Sequence, residues 1–561
     1  MLWTLPILLI LGCIVLSVPL GRYMAWALAD APAGLRARLD AIVQTIGGSR
    51  AAREQRWRAY TMSMLVFNAI MFVLAFVLLT TQTALPLNPD GKASMPADLA
   101  FNTAASFTTN TNLQHYSGEQ SLSYFSQLFV VMWLQFVSAA TGITALAALC
   151  RGLSGKSTLG NYYRDMARVT MLVLLPMAFL AAVALIACSV PMTLEGAAVA
   201  TTLEGLTQTI ARGPVAAIVS IKQLGTNGGG FFGPNSTHPF ENPDFVSNVI
   251  ENASIILIPM ACVWMFGRLI RSWKQAAVVF AAMLALYTLF TGFAVVTEQA
   301  PASALDGLAV QQTMNLEGKE LRFGSSASSL WAVSTTSTSN GSVNAMHDSL
   351  NPLTGLFPMI GMWLNVEFGG VGVGFINMFL FIITSVFIAG MMVGRTPEYL
   401  GKKVEAREMK LALLALLAHP LFILAGVALF AATPLGRSTT QDPGPHGLSE
   451  IIYEFSSSAA NNGSGFEGLA DNTPAWNIAT GLVMLLARFL PIILPLAIAG
   501  SLASKRRLAE SAGTFRTDAP LFGVVLLGVV LIVGALLFLP LGMLGPVAEH
   551  LALTGATAGG Q

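Results

Sequence analysis

The sequence predicts an all-α polytopic membrane protein. Ten transmembrane helices are expected: four pseudo-repeats of helix, re-entrant pore helix with filter loop, and helix around a pseudo-fourfold pore, plus one extra span at each end. Three observations lead there. Only 11% of the 561 residues are charged and 54% are hydrophobic, with a mean hydropathy of +0.65, whereas a soluble domain carries roughly 25% charged residues. Ten segments are apolar over about the 20 residues that a membrane helix needs. Between them, four short runs of Thr, Ser, Asn and Gly recur at nearly constant spacing.

The composition excludes a soluble enzyme, and no polar block is long enough to fold alone, so residues 1–561 read as one membrane domain. Lys plus Arg at 30 and Asp plus Glu at 29 nearly cancel, which leaves no basic surface for nucleic acid. Cys13, Cys150, Cys188 and Cys262 are isolated in apolar stretches. They offer neither metal-ligand spacing nor a disulfide framework.

The predicted spans lie at about residues 2–20, 60–82, 122–150, 170–191, 246–267, 276–297, 350–394, 411–434, 475–503 and 520–542. An even number puts both termini on one side. The first segment has its positive charges after it and so reads as a retained anchor with its amino end outside. The alternate loops at 22–58, 151–168, 268–274, 395–410 and 505–516 hold 23 of the 30 Lys and Arg, and basic loops stay inside. Lys222 and Arg488 remain within hydrophobic elements.

The four polar runs are Thr109 to Asn112, Gly225 to Gly230, Thr338 to Ser342 and Ala460 to Ser464. Aligned on Asn110, Thr226, Asn340 and Asn461, they stand 116, 114 and 121 residues apart. This is an internal repeat that divides the chain into an extra first span with its loop (1–58), repeats at 59–168, 169–274, 275–410 and 411–516, and an extra last span (517–561). Short helices precede the runs, as at Pro96 to Thr108 and Pro214 to Leu224, each starting at Pro. About 12 residues rise roughly 18 Å, half the apolar thickness, so these elements enter the membrane and turn back. Irregular backbone at that depth must be buried or line a wet cavity.

Four such loops on one axis have the architecture of a potassium-channel pore built from a single chain. Small residues let successive carbonyls point inward and replace the hydration shell of a cation, and each short helix aims its negative end at the centre. Acidic residues follow every loop: Glu119, Glu241 with Asp244, Asp348, and Glu467 with Asp471. They are expected to form an outer ring that concentrates cations.

Below the loops, the glycine-rich stretch from Phe368 to Gly374 breaks the seventh span, since each Gly costs a helix about 1 kcal/mol. Arg488 lies at similar depth, and an intramembrane charge is normally functional. Gly369, Gly370 and Gly372 are thus expected to occlude the pore beside a positive barrier at Arg488. Arg395 either approaches the same region or anchors the span. Lys222 reads as a structural lysine at the negative end of its helix. Gly155-Lys156-Ser157 imitates the end of a phosphate loop, but Cys150 stands where the leading Gly is required. The six histidines show no ligand spacing; His115, His238 and His347 are expected in polar contacts near the outer vestibule.

The strings FNTAASFTTNTNLQHYSGE, LGTNGGGFFGPNSTHPFENP, NGSVNAMHDS, GRTPEYLGKK and SSAANNGSGF closely resemble the A, potassium-binding subunits of bacterial Kdp potassium-transporting P-type ATPases, over essentially the whole chain. The resemblance implies the fold of the Trk, Ktr and plant HKT pore proteins. It implies K+ as the transported ion, bound by backbone carbonyls at Asn110 and Thr111, Thr226 and Asn227, Asn340 and Gly341, and Asn461 with Asn462 or Gly463. Asn112, Gln114 and Gly228 would adjoin this filter. It further implies high-affinity uptake in the bacterial plasma (inner) membrane with a catalytic B subunit, a single-span C subunit and a small F peptide as partners. The phosphorylated Asp-Lys-Thr-Gly string of a catalytic P-type subunit is absent, so the chain is expected to be no enzyme on its own. Competing readings are a self-sufficient Trk- or Ktr-like channel or ion-coupled transporter, and a membrane receptor or enzyme without a pore. Whole-chain similarity and the flanking spans disfavour the first of these, and the four loops disfavour the second.

Overall fold

A computed structural model describes residues 2–30, 33–301, 314–392, 394–507 and 515–558. Met1, Val393 in the predicted seventh span, residues 508–514 of the predicted 505–516 loop and residues 559–561 of the last unit lie outside the described residues. The helices run in order α1 (Thr4–Ala27), α2 (Leu35–Ala52), α3 (Trp57–Thr80), α4 (Ala97–Thr108), α5 (Tyr124–Leu153) and α6 (Tyr162–Ala187). Then follow α7 (Val215–Leu224), α8 (Phe245–Leu269), α9 (Trp273–Thr297), α10 (Gly324–Ser337), α11 (Pro352–Leu364) and α12 (Val373–Met392). The chain continues with α13 (Ala406–Ala432), α14 (Pro445–Ala460), α15 (Pro474–Ala503) and α16 (Pro520–Gly542).

Among the described residues ten helices are long and apolar enough to cross a membrane: α1, α3, α5, α6, α8, α9, α12, α13, α15 and the segment beginning with α16. All ten overlap the predicted spans. Within each successive pair the second helix is the more buried: the most apolar stretches of α3, α6, α9 and α13 are 22, 33, 56 and 33% buried, those of α5, α8, α12 and α15 are 78, 72, 78 and 50%. The second long helix of each pair therefore packs nearer the centre than the first. Close backbone approach holds α1 to α8, where a Cβ on Gly21 would lie 2.6 Å from the Ala261 carbonyl oxygen, the small-residue contact that membrane helices use in place of a hydrophobic driving force.

The half-length helices α4, α7, α10 and α14 sit between the long ones. In α4 and α7, Pro96 and Pro214 occupy the N-cap, one residue before the first helical turn, rather than opening the helix; α14 does begin at Pro445. The break in the seventh span begins earlier than its glycines suggest. Helix α11 ends at Leu364 because Asn365 adopts the left-handed conformation at φ 49°, which Asn tolerates better than most residues. Val373 and Gly374 already belong to α12, where the Gly374 N–H donates to the Gly370 carbonyl. Two short hairpins, Ala198–Thr201 with Thr207–Ile210 and Glu398–Tyr399 with Lys402–Lys403, and helix α2 were not expected from sequence.

Candidate ion-binding site

Each half-length helix ends in the same way. The Ser106 carbonyl of α4 accepts from Thr111 N–H at 2.9 Å and Asn112 N–H at 3.2 Å, and the Lys222 carbonyl of α7 accepts from Asn227 at 2.8 Å and Gly228 at 3.3 Å. In α10 and α14 the Thr335 and Ser457 carbonyls accept from Asn340 at 2.7 Å and Asn462 at 2.9 Å. There the hydroxyls of the same two residues take the next N–H, of Gly341 and Gly463, both at 2.9 Å. The turn is made by a residue with positive φ: Asn110 at 64°, Thr226 at 47°, Ser339 at 49° and Asn461 at 52°.

This pattern corrects the alignment of the third loop by one residue. Ser339, not Asn340, is the equivalent of Asn110, Thr226 and Asn461; Asn340 matches Thr111, Asn227 and Asn462; Gly341 matches Asn112, Gly228 and Gly463. Asn next to Gly drew the sequence alignment forward, whereas a Ser at positive φ leaves no signal. It is held there by its hydroxyl, which donates to Asn365 Oδ1 at 2.8 Å.

The loops follow one another around a ring in chain order. A Cβ on Gly228 would lie 2.0 Å from the Asn340 carbonyl oxygen, one on Gly341 2.1 Å from that of Asn462, and one on Gly463 2.1 Å from that of Thr111. At the remaining junction Asn110 Nδ2 donates to the Thr226 carbonyl at 2.8 Å. Thr111, Asn227, Asn340 and Asn462 are fully buried. Their backbone carbonyls accept no hydrogen bond among the described residues. Buried carbonyls are otherwise nearly always paired, so four unpaired equivalents on adjoining loops form a built acceptor site. Side chains brace it from behind: Asn462 Nδ2 donates to the Thr335 carbonyl at 2.9 Å, Asn340 Nδ2 to that of Lys222 at 3.1 Å, and Ser138 Oγ to Asn110 Oδ1 at 2.8 Å. Gln114 bonds Gly230 N–H at 3.0 Å and so ties loop one to the continuation of loop two.

The glycine break lies directly beneath. Val371 N–H donates to Thr226 Oγ1 at 3.0 Å, and a Cβ on Gly372 would stand 2.2 Å from the Gly142 carbonyl oxygen of α5. A Cβ on Gly369 would meet Gly374 Cα at 2.2 Å. Arg488 of α15, 3% exposed, reaches the same place: its Nη2 donates to the Ser138 carbonyl at 3.2 Å and lies 3.3 Å from where a Gly142 Cβ would be. Ser138 thus touches both the arginine and, through its hydroxyl, loop one. A cavity of about 50 Å³ opens between α11, α12, α13, α15 and α16, where Ser339, Asn365, Asn377, Asn461 and Arg488 stand among mainly apolar side chains such as Phe381 and Phe538, with room for a few waters or a bare cation. Arg395 is not brought there. It is exposed beyond the end of α12, whose 20 residues put it about 30 Å from the break.

Sequence reasoning missed Asn365 and Glu367. Asn365 bridges Ser339 to the Ala460 carbonyl, and Glu367, fully buried in the break, accepts from Ser337 Oγ at 2.7 Å. Two polar residues ending an apolar run were the available signal. The outer acidic ring is likewise corrected, because most of its members are committed to partners. Glu241 is buried and ion-paired with the buried Lys222, whose Nζ also donates to Asn235 at 2.5 Å. Lys222 lies in the last turn of α7, as expected, and is structural through this pair as well. Asp244 caps α8, Asp348 meets His446 at 3.0 Å, and Asp471 faces His115 at 3.8 Å. Glu119 accepts from Gly233 N–H at 2.8 Å. His238 stacks on Phe232, and His347 bonds Tyr453 Oη at 2.7 Å.

Among the described residues, ten helices long and apolar enough to cross a membrane, packed around four loops with unpaired buried carbonyls, define a multi-pass membrane protein of the transport class. The chain belongs to the potassium-transporting ATPase A subunit family, whose model matches residues 7–551. The potassium-transporting ATPase potassium-binding subunit of Geobacillus kaustophilus (strain HTA426) is 49% identical over 551 residues, 97% of this chain and 98% of that protein. The potassium-binding subunit of Rhodospirillum centenum (strain ATCC 51521 / SW) is 49% identical over 564 residues, 99% and 98% of the two chains.

Proposed function

We propose that this chain is the ion-selecting subunit of an ATP-driven, high-affinity potassium uptake complex in the bacterial inner membrane. The observation that carries the reading is the ring of buried carbonyls of Thr111, Asn227, Asn340 and Asn462, left without hydrogen bonds among the described residues. Carbonyl oxygens on loops that cannot approach further select a cation by replacing its water shell. Neighbouring carbonyls of Asn110, Gly341, Asn461 and Gly463 extend the binding column, whereas the Thr226 carbonyl accepts from Asn110 Nδ2 at 2.8 Å and has only its second lone pair to offer. The repeat boundaries at 59–168, 169–274, 275–410 and 411–516 frame the four loops, and 1–58 and 517–561 add the flanking spans.

K+ enters from the outer side, where both termini lie, the alternate loops rich in Lys and Arg being inside. The break at Gly369 to Gly372 closes the path below, and Arg488 repels a dehydrated cation from the cytoplasmic side. With the direct route blocked, the cavity beside Arg488 carries the ion sideways to a separate ATP-hydrolysing B subunit. A single-span C subunit and a small F peptide complete the complex. The chain itself hydrolyses no ATP, having neither a phosphate loop nor an Asp-Lys-Thr-Gly string. Arg395 anchors the end of α12.

The test is the stimulation of ATP hydrolysis by K+, Rb+ and Na+ in the assembled complex, with wild-type chain and with Gly341→Ala, whose Cβ would press on the Asn462 carbonyl. Loss of preference for K+ is expected. Unchanged ion preference in a normally assembled variant would overturn the filter assignment.

A further inference from the structure

One enclosed basic side chain lies beside the carbonyl ring without facing it. His115 follows Asn112 by three residues, and its ring is wholly shielded from solvent. Nδ1 stands 2.7 Å from Asn477 Oδ1, and Nε2 stands 3.2 Å from Glu454 Oε1 and 3.8 Å from Asp471 Oδ2. The orientation of the Asn477 amide is fixed, because its Nδ2 donates to Asp98 Oδ2 at 2.9 Å; the atom turned towards His115 is therefore an oxygen. An amide oxygen and ionised carboxylates only accept, so both ring nitrogens must donate, which is the charged form of histidine.

The partners come from three elements of repeat four: Glu454 from α14, Asp471 from the segment after loop four, and Asn477 from α15. His115 belongs to repeat one. Asp98, reached through Asn477, lies in the first turn of α4. The two loops so joined already touch, since Asn461 Nδ2 donates to Thr111 Oγ1 at 2.9 Å and Gly463 abuts the Thr111 carbonyl. We propose that His115, as an imidazolium, is a positioning residue that locks loop one against repeat four, so that the carbonyl ring takes K+ with full affinity only while His115 holds its proton. This rests on the filter reading above.

Burial by itself would lower the proton affinity of the ring, but the Asp471 charge and the bond and charge of Glu454 outweigh it and raise the pKa to about 9. A raised histidine pKa gives a contact that is complete below the ordinary value near 6.5 and lost as pH rises through the raised one. The lock is therefore closed at neutral pH and opens in alkali. For a group titrating near 9 the protonated fraction falls about tenfold between pH 8 and pH 10.

The experiment measures the apparent K+ affinity for stimulating ATP hydrolysis in the reconstituted complex from pH 7 to pH 10. Wild-type affinity should fall by up to about tenfold above pH 8. His115→Gln should remove that fall, and Glu454→Gln, which takes away one partner charge, should move its midpoint to lower pH. Glu454→Gln carries the test alone if His115→Gln fails to assemble. A flat wild-type profile, the same alkaline fall in His115→Gln, or an unmoved midpoint in Glu454→Gln would each overturn the proposal. So would abolition of the pH response by a chelator, which would mark the His115, Glu454 and Asp471 cluster as a metal site. Gly228→Ala is run alongside. If it weakens K+ affinity while His115→Gln keeps the wild-type profile, the lock fails and the filter stands; if Gly228→Ala leaves affinity untouched, the filter reading itself fails.

Discussion

Gly228→Ala isolates the contact between loops two and three. Two effects are expected. Gly228 has φ +89°, a conformation that costs an L-residue about 1–2 kcal/mol. In addition, the new Cβ would stand 2.0 Å from the Asn340 carbonyl oxygen, where real Cβ contacts do not fall below 3.0 Å, so that oxygen must retreat by about 1 Å. With about half a charge on the oxygen and an effective dielectric of about 20, retreat from about 3 to about 4 Å costs the bound cation about 0.7 kcal/mol, roughly threefold in affinity. Gly205 provides the control. Its φ is +80° with nothing within 4 Å of an added Cβ, so Gly205→Ala carries the backbone strain without the collision. The assay is K+ stimulation of ATP hydrolysis by the assembled complex, with Rb+ and Na+ in parallel. Gly228→Ala should weaken K+ affinity at least threefold and narrow its preference over Na+, while Gly205→Ala does neither. Equal behaviour of the two variants would refute the claim that loop two sets the Asn340 carbonyl.

Three further outcomes are expected. Arg488→Met keeps length and apolar bulk but removes the charge, so the complex should assemble yet leak K+ passively or uncouple transport from hydrolysis in liposomes; a tight, normally coupled variant would make Arg488 a packing residue. Lys222→Met strands the buried Glu241 and should destabilise the chain by about 3–5 kcal/mol, with much of the loss recovered in Lys222→Met with Glu241→Gln, as thermal unfolding of the complex would report. The purified chain alone should release no phosphate from ATP, and K+-stimulated release from a preparation free of every partner would overturn its proposed role as a subunit without ATPase activity of its own.

Much of the fold was legible because the membrane imposes it. Twenty apolar residues in a row have few alternatives, and all ten long helices fall where hydropathy puts them. The half-length helices were legible for a related reason, their length and the polar run behind each. What sequence could not supply was which side chains meet beyond their own short stretch of chain. Ser339 was overlooked because the neighbouring Asn340 and Gly341 look more like a turn. Its positive φ depends on Asn365, 26 residues further on. Glu241 was read as a free outer carboxylate because nothing local reveals that Lys222, 19 residues earlier, enters the same buried pocket. Arg488 was legible as an anomaly, a lone charge in an apolar run. Its contact with Ser138, 350 residues away, was not. His115 likewise gave no sign of being charged until Glu454, Asp471 and Asn477 stood around it.

A potassium filter requires a cation among the buried carbonyls of the four loops. Anomalous diffraction from the complex with Tl+ in place of K+ tests it most directly. The strongest peak is expected at a point bounded by the carbonyl oxygens of Thr111, Asn227, Asn340 and Asn462, weakened in Gly228→Ala. A ring without a peak, with Tl+ held instead by carboxylates such as Asp348 or Glu119, would contradict it.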